Sequence, residues 1–172
     1  MEKPITYRFI KETEIDFLNE MLFEAIFVEE GKLPLSKSIL KDPSIAKYTI
    51  DFGSQDLDIG IVAVCDHKPI GVIWGRLFSE KDSGYGFVDS NTPEIGMAVR
   101  PEFRNNGVGA ELLHKIEEAY LKEGVNTLSL SVDQKNPAFR LYQRNGYHNY
   151  SEKDGAYTMF KNISGIDFKR TL

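Results

Sequence analysis

Residues 99–110 read VRPEFRNNGVGA, and this stretch decides the fold. An apolar segment leads into it and a run with helical periodicity follows it, so it predicts a strand end, a glycine loop and a helix start. Gly107 and Gly109 carry no side chain that would block close approach, which leaves the N–H groups of the first helical turn free to face phosphate oxygens. Aligned peptide dipoles strengthen that attraction, and Arg104 adds a charge-assisted contact. The stretch therefore predicts an anion-binding cradle.

Two other phosphate-binding loops do not fit this stretch. A Walker loop requires Gly-Lys-Ser or Gly-Lys-Thr, and a dinucleotide fingerprint requires a third glycine where this chain has Leu112. A Gly-x-Gly pair alone also occurs at helix starts for turn geometry, with no ligand involved. The pattern that remains is Arg104-x-x-Gly107-x-Gly109 directly after a strand.

The residues before this stretch predict strands and helices in alternation. The predicted elements are a strand over 5–10, a helix from a capping-box-like 13–16 to Gly31 and Pro34, a short helix from an Asp42 N-cap to Gly53, and hairpin strands over 57–65 and 70–78. The polar, glycine-bearing segment 79–92 is interpreted as a loop on the substrate side.

The residues around and after the glycine loop predict a parallel crossover. A strand over 94–99, a helix from Val108 to just before Gly124 and an alternating strand over 127–132 form a right-handed βαβ unit. Asn136 and Pro137 then open a helix that stops near Gly146, and strands over 147–150 and 157–163 follow.

A second signature lies at residues 132–147, which read VDQKNPAFRLYQRNGY. Together with the glycine loop it resembles the GNAT superfamily of N-acetyltransferases, whose acyl-CoA loop reads Arg or Gln, two residues, Gly, one residue, then Gly or Ala. In that family an asparagine after the fifth strand, an alanine, a Leu-Tyr pair and a Gly-aromatic end recur at this spacing. The resemblance is strongest over 94–147, and the earlier elements agree with the family in their order.

The resemblance implies a fold and an activity. The implied fold is a GNAT-type mixed α/β domain over residues 1–172, with a mainly antiparallel twisted sheet of six or seven strands. A central parallel pair is splayed, and about four helices flank the sheet. The implied activity is direct transfer of an acetyl group from the co-substrate acetyl-CoA to a primary amine, in a small molecule or in a protein or peptide.

The resemblance also implies where acetyl-CoA binds. The pantetheine arm is expected to lie between the splayed strands and to pair with main-chain groups that splaying leaves unpaired. Asn136 is expected to hydrogen-bond the pantetheine amide region or to act as a plain N-cap, and Phe139 to line the groove. The residues carried over for the cofactor are Met97, Ala98, Val99, Arg104, Asn105, Asn106, Gly107, Val108, Gly109, Ala110, Asn136, Phe139 and Tyr142.

Two residues carry the implied proton chemistry. Tyr142 is expected to protonate the departing thiolate, since a phenol with a pKa of about 10 keeps its proton at neutral pH. Glu94 is expected to deprotonate the acceptor ammonium, directly or through water, provided that burial raises its pKa above the usual value of about 4.3. The structural alternatives are a core position for Tyr142 and a solvated charge at a strand start for Glu94.

Composition limits which partners, cellular location and metal sites are compatible with the chain. The 172 residues fit one domain, and the formal net charge of −5 opposes nucleic acid or an anionic membrane as a partner while suiting a cationic acceptor. A single cysteine, Cys65, and the absence of a signal-like or spanning stretch predict a cytoplasmic protein. His67, His114 and His148 lack metal-site spacing, so no metal is expected.

Other functions and assemblies remain compatible with these residues. A non-catalytic acyl-CoA-binding sensor or interaction module would keep the phosphate loop without needing Tyr142. A longer acyl group is an alternative donor. A homodimer through a terminal strand or an exposed helix is also compatible, because an edge strand must be covered or paired.

Overall fold

The computed structural model describes residues 3–165, which form a twisted sheet with helices on both faces. The strands are β1 Ile5–Phe9, β2 Ile59–Cys65, β3 Lys68–Arg76, β4 Glu94–Val99, β5 Thr127–Asp133, β6 His148–Lys153 and β7 Ala156–Asn162. The helices are α1 Ile15–Ala25, α2 Pro43–Ala46, α3 Val108–Lys122 and α4 Ala138–Arg144, with short 3-10 turns at Glu12–Glu14, Lys37–Lys41 and Pro101–Phe103.

The seven strands lie in the order β1-β2-β3-β4-β5-β7-β6. Every neighbouring pair is antiparallel except β4 and β5, which the crossover helix α3 joins in parallel. Glu94 opposite Ser129 is the one matched pair between β4 and β5, so the two strands separate beyond it. The predicted GNAT-type sheet with a splayed central pair is therefore confirmed.

The two faces of the sheet carry separate apolar cores. The α3 face buries Leu112 and Ile116 against strand residues such as Leu130. The α1 face buries Leu18 and Trp74 in a second cluster. Because side chains alternate along a strand, Ile95 of β4 points to the α3 face whereas Glu94 and Ala98 point to the α1 face. This alternation places Glu94 on the side of α1 and α2.

Most predicted elements are confirmed, but the first helix is shorter than predicted. It ends at Ala25, because Ile26 is extended (φ −75°, ψ 113°), so the predicted end at Gly31 and Pro34 was wrong. The β-branched Ile26 and Val28 are poor helix formers, and residues 24–28 instead line the cleft described below. Before the helix, the Glu14 carboxylate accepts the N–H of Lys11 at 2.9 Å and caps the 3-10 turn Glu12–Glu14, so the capping contact lies one turn ahead of the capping-box-like start predicted at 13–16.

The second helix has the predicted Asp42 cap but ends at Ala46, well before the predicted stop at Gly53, whereas the hairpin turn follows the sequence. Asp42 caps α2 by accepting the N–H of Ser44 at 2.9 Å, although the helix has only four residues and continues as turns. Asp66 and His67 both have positive φ, at 52° and 63°, which is typical of a type I′ hairpin turn. Among residues 3–165, no helix has both the length and the apolar character needed to cross a membrane.

Candidate functional site

The splay between β4 and β5 opens a cleft of about 910 Å³. Its walls are the end of α1, the second half of β4, the loop into α3 and the helix α4. Ten of the predicted site residues line it: Met97, Ala98, Val99, Arg104, Asn105, Gly107, Gly109, Ala110, Asn136 and Tyr142. Asn106, Val108, Phe139 and Glu94 do not line it. The two sequence signatures thus meet at one cleft.

The loop into α3 presents backbone donors to this cleft. Asn105 (φ 61°) and Gly107 (φ 79°) are left-handed, which turns the chain sharply before the helix. Within the part of the chain that the structure describes, no N–H of residues 105–110 donates a hydrogen bond, and the first that does is Glu111, to Gly107 O at 3.1 Å. Such free donors at a helix start fit a phosphate group.

The second glycine of the loop has a packing role. A Cβ on Gly109 would lie 2.9 Å from Leu141 Cδ2 and 3.4 Å from the Met97 methyl group. The absent side chain therefore lets α3 approach α4 and β4 closely. These contacts hold the start of α3, with its free N–H groups, beside the cleft-lining residues Leu141 and Met97.

Arg104 lies at the mouth of the cradle. Its Nε donates to the carbonyl of Val99 at 2.9 Å, and its guanidinium lies 3.5 Å from the Glu24 carboxylate. The side chain is 48% exposed, so it remains accessible to a ligand. A phosphate that binds here competes with Glu24 for this cation.

The exposed edge of β4 offers main-chain groups to the cleft. Arg100 N–H donates to the carbonyl of Ile70 of β3 at 2.8 Å. Because main-chain groups of successive residues in a strand point to opposite sides, the N–H and C=O groups of Ala98 also point towards β3. Met97 and Val99 consequently direct their N–H and C=O groups towards β5, which does not pair with them. The edge that faces the gap is therefore unpaired with β5 at Met97 and Val99, although the Val99 carbonyl accepts from Arg104 Nε, and Ala98 faces β3.

Asn136 and Phe139 flank α4 in different ways. The Asn136 side-chain oxygen accepts the N–H of Ala138 at 2.9 Å, which is the helix-capping alternative, while the residue also lines the cleft. Phe139 packs against Tyr157 at 5.2 Å between ring centroids, outside the cleft. Phe139 was predicted to line the groove, but in the structure its ring packs on Tyr157 of β7 instead.

Tyr142 lies on α4 with its ring edge towards Tyr147 at 6.0 Å. Only 6% of the residue is exposed, and burial raises the pKa of its phenol above the ordinary value. The hydroxyl makes no hydrogen bond with any other residue in 3–165, and the residue lines the cleft. It is at once a core position and a free proton donor at the cleft wall.

Glu94 is a buried carboxylate on the α1 face, with 3% of the residue exposed. Its Oε1 accepts the Tyr48 hydroxyl at 2.6 Å and the Gly86 N–H at 2.9 Å. Burial raises the pKa of Glu94 to about 7, although these two hydrogen bonds and the charge of Lys47 oppose the shift. A solvated strand-start charge is therefore excluded, and the carboxyl is poised to exchange a proton near neutral pH.

The 79–92 loop covers Glu94 and is held by several contacts. Tyr85 donates its N–H to the Tyr48 hydroxyl at 2.7 Å and accepts the Thr158 hydroxyl at its carbonyl at 3.3 Å. A Cβ on Gly86 would lie 2.5 Å from the carbonyl carbon of Leu130, so the loop rests directly on the β5 backbone. The predicted substrate-side loop is thus a fixed wall over the carboxylate.

Sequence reasoning missed several residues of this site. Tyr48 lies in a segment without a motif, and its distance from Glu94 in the chain hides the hydrogen bond between them. Residues 24–28 and Arg144 also line the cleft. The β-branched Ile26 and Val28 could have indicated an earlier end of the first helix, and so an extended segment at residues 26–28. Among residues 3–165, no group of three or more His, Cys, Asp or Glu side chains is placed to hold a metal ion.

Comparisons with known proteins agree with this geometry. A model of the acetyltransferase (GNAT) family matches residues 25–147. The PaiA N-acetyltransferase of Thermoplasma acidophilum, solved in complex with coenzyme A, superposes with a TM-score of 0.69 and 23% identity, covering 92% of this chain and 99% of that one. A GNAT acetyltransferase of Streptococcus pneumoniae gives a TM-score of 0.65 and 20% identity, covering 93% and 99%. A ribosomal-protein-alanine N-acetyltransferase of Brucella melitensis gives 0.63 and 17%, covering 91% and 99%.

Proposed function

This chain belongs to the acetyltransferase (GNAT) family, and on that premise we propose that it acetylates a primary amine of a small molecule or of a protein or peptide by direct transfer. It is an acetyl-CoA-dependent N-acetyltransferase with acetyl-CoA as co-substrate. One observation carries the proposal: the unpaired N–H groups of residues 105–110 at the mouth of the β4–β5 cleft.

The residues of the cleft fit the parts of acetyl-CoA. The free N–H groups of 105–110 and the guanidinium of Arg104 bind the diphosphate, which carries the negative charge they require. The outward main-chain groups of Met97 and the N–H of Val99 pair with the amides of the pantetheine arm, while the Val99 carbonyl holds Arg104. The amide nitrogen of Asn136 adds a donor beside them, since its oxygen is already used by Ala138.

Glu94 and Tyr142 handle the two protons of the transfer. A protonated amine cannot attack the thioester, so the acceptor ammonium must first lose a proton. Glu94 takes up this proton through water, because its carboxyl does not line the cleft. Tyr142 donates to the departing sulfur. Burial raises the pKa of this phenol, and a thiolate in the same buried place has its proton affinity raised for the same reason.

The proposal includes both small and protein-borne amines. Among the structural neighbours, one is named for a ribosomal-protein alanine and another for phosphinothricin. In this chain residues 26–28 after α1 line the cleft, and the 79–92 loop covers Glu94 without lining the cleft. The net charge of −5 favours an acceptor that carries a positive charge.

Thiol release from acetyl-CoA, measured with purified protein and a panel of amines, tests the proposal. The panel contains polyamines, amino acids and peptides with a free N-terminus or a lysine. We expect one amine class to release CoA, and Tyr142→Phe to release it at least about tenfold more slowly. Tyr157→Phe is the matched control, since that ring packs outside the cleft. A sensor would bind acetyl-CoA in a calorimetric titration and release no CoA with any amine.

A further inference from the structure

Glu94 is held by two donors that reach the same oxygen. The Tyr48 hydroxyl and the Gly86 N–H both donate to Oε1, at 2.6 Å and 2.9 Å. The Tyr48 hydroxyl in turn accepts the N–H of Tyr85 at 2.7 Å. The phenol of Tyr48 has one proton to donate. Because its oxygen accepts from Tyr85, that single proton is the one donated to Glu94.

The second carboxylate oxygen, Oε2, is left without a partner. It is buried and makes no hydrogen bond with any of the described residues. It lies against Gly84, where a Cβ would clash with it, so a larger residue at this position of the loop would have to displace the carboxylate. Ser129 Oγ and Trp74 Nε1 are also buried and unpaired, and they lie on the two neighbouring strands, on the same face of the sheet. With Oε1 accepting two hydrogen bonds, an incoming proton is taken up at Oε2.

We propose that Tyr48 is a positioning residue for this reaction. Its hydroxyl fixes Glu94 so that Oε2, the carboxylate oxygen without a hydrogen-bond donor, is the atom that takes up the acceptor's proton. The proposal rests on the proposed role of Glu94 as the base. Tyr48 acts through Glu94, because it does not line the cleft. Its ring is fixed by Phe78 at 5.0 Å and by Tyr85 at 6.5 Å between centroids, which leaves the hydroxyl little freedom to turn away.

The charged groups near Glu94 leave Tyr48 as its main stabilising contact. Arg76 lies opposite Glu94 in register on β3, but its guanidinium is paired with Asp58 at 2.8 Å. Lys47, next to Tyr48, acts on the carboxylate through its charge and is itself paired with Asp82. The other contacts come from neutral groups of β5 and the 79–92 loop.

The balance of these effects predicts what removal of the hydroxyl does. Burial raises the pKa of Glu94, and the Tyr48 hydrogen bond is the strongest of the contacts that lower it. Tyr48→Phe removes the oxygen and keeps the ring, so the carboxylate loses that support and its pKa rises further. A hydrogen bond to a charged group corresponds to about one pH unit.

The pH profile of kcat/KM, measured with the best amine of the panel, tests this effect. We expect the acidic limb of Tyr48→Phe to lie about one pH unit above that of the wild type. Activity at pH 7 should then fall about fivefold, because the ionised fraction of Glu94 drops from about one half to about one eleventh, and it should recover as the pH rises, which a merely structural defect would not do. Tyr120→Phe is the matched control, because it removes the hydroxyl of another buried tyrosine, which donates to Leu57 O at 2.9 Å rather than to Glu94. The acidic limb of that variant should stay in place.

A carbon-13 NMR titration of the Glu94 carboxyl separates this proposal from the proposed base. The resonance is assigned by its loss in Glu94→Gln, and its midpoint should rise in Tyr48→Phe by the same shift as the kinetic limb. An unmoved midpoint in a folded Tyr48→Phe protein overturns the positioning role whatever the base is. A midpoint that moves while the kinetic limb stays shows that Glu94 is not the base, and the proposal then fails with that assignment.

The wild-type protein provides a measurement that does not depend on the variant folding. The ring carbon of Tyr48 that bears the hydroxyl should titrate with the midpoint of Glu94, because the hydrogen bond couples the two groups. That transition should vanish in Glu94→Gln. A Tyr48 resonance that does not respond to pH across the Glu94 midpoint would overturn the proposal.

Discussion

Glu94→Gln should stabilise the folded protein at alkaline pH. Only 3% of Glu94 is exposed, and its Oε2 has no hydrogen-bond partner among residues 3–165. Ionised, it is a buried charge that its two donors support only in part. Glutamine has the same shape and no charge, and its side-chain oxygen can still accept from Tyr48 and Gly86. The substitution therefore removes a cost that the fold carries for its chemistry.

The size and the sign of this effect follow from the pKa of Glu94. Burial raises that pKa from 4.5 to about 7, so the folded state binds the proton more tightly than the unfolded state does. The free energy of unfolding then falls as the pH rises from the unfolded to the folded pKa, and it is flat above. At 1.36 kcal/mol for each pH unit, the full loss is about 3 kcal/mol. Glutamine does not suffer this loss.

Urea unfolding of the wild type and Glu94→Gln, across about pH 4 to pH 8.5, measures this difference. We expect the two curves to meet at the acidic end and to separate to about 3 kcal/mol above pH 7, with the variant more stable. Glu117→Gln is the matched control with the opposite sign. Glu117 is equally buried, but it is paired with Lys161 at 2.8 Å, so its loss should destabilise by about 3 kcal/mol. Equal stability of wild type and Glu94→Gln at pH 8 would refute the reasoning.

Three further perturbations test other parts of the site. Tyr142→Phe should lower kcat at least about tenfold with a small change in acetyl-CoA affinity, because the contact forms at the departing sulfur; equal turnover would remove this assignment. Glu24→Gln should tighten CoA binding about twofold to fivefold at low ionic strength, since it frees Arg104 from a carboxylate 3.5 Å away, and calorimetry at high salt should show the gain disappear. Gly86→Ala should destabilise the protein by about 1–3 kcal/mol and lower activity, because the new methyl group meets the Leu130 backbone at 2.5 Å; thermal unfolding at its wild-type midpoint would contradict this contact.

The glycine loop shows how far local sequence reasoning reaches. The free N–H groups over 105–110 are a property of a short contiguous stretch, so the sequence predicted them. Gly109 has a further reason that the loop motif does not reveal. Its neighbour is Leu141 of α4, a contact that depends on how two helices pack rather than on the loop itself.

Glu94 shows what sequence reasoning could not reach. Its position at the start of β4 was predicted correctly, because strand periodicity is local. Its partners lie 46 residues away at Tyr48 and in the 79–92 loop, and no spacing rule links them. The same limit applies to the end of α1, where packing against the cleft outweighs the apolar periodicity that favoured a longer helix.

The sequence alone determined the order of the elements, the crossover between β4 and β5, and the family to which the chain belongs. These depend on residue periodicity, turn chemistry and two contiguous motifs, each of which acts within a few residues. Only the tertiary structure decided that Glu94 is buried, that the 79–92 loop covers it and that the Tyr48 hydroxyl donates to it. Desolvation and hydrogen bonding between distant segments exist only once the chain has folded, and they set the pKa on which the proposed chemistry depends.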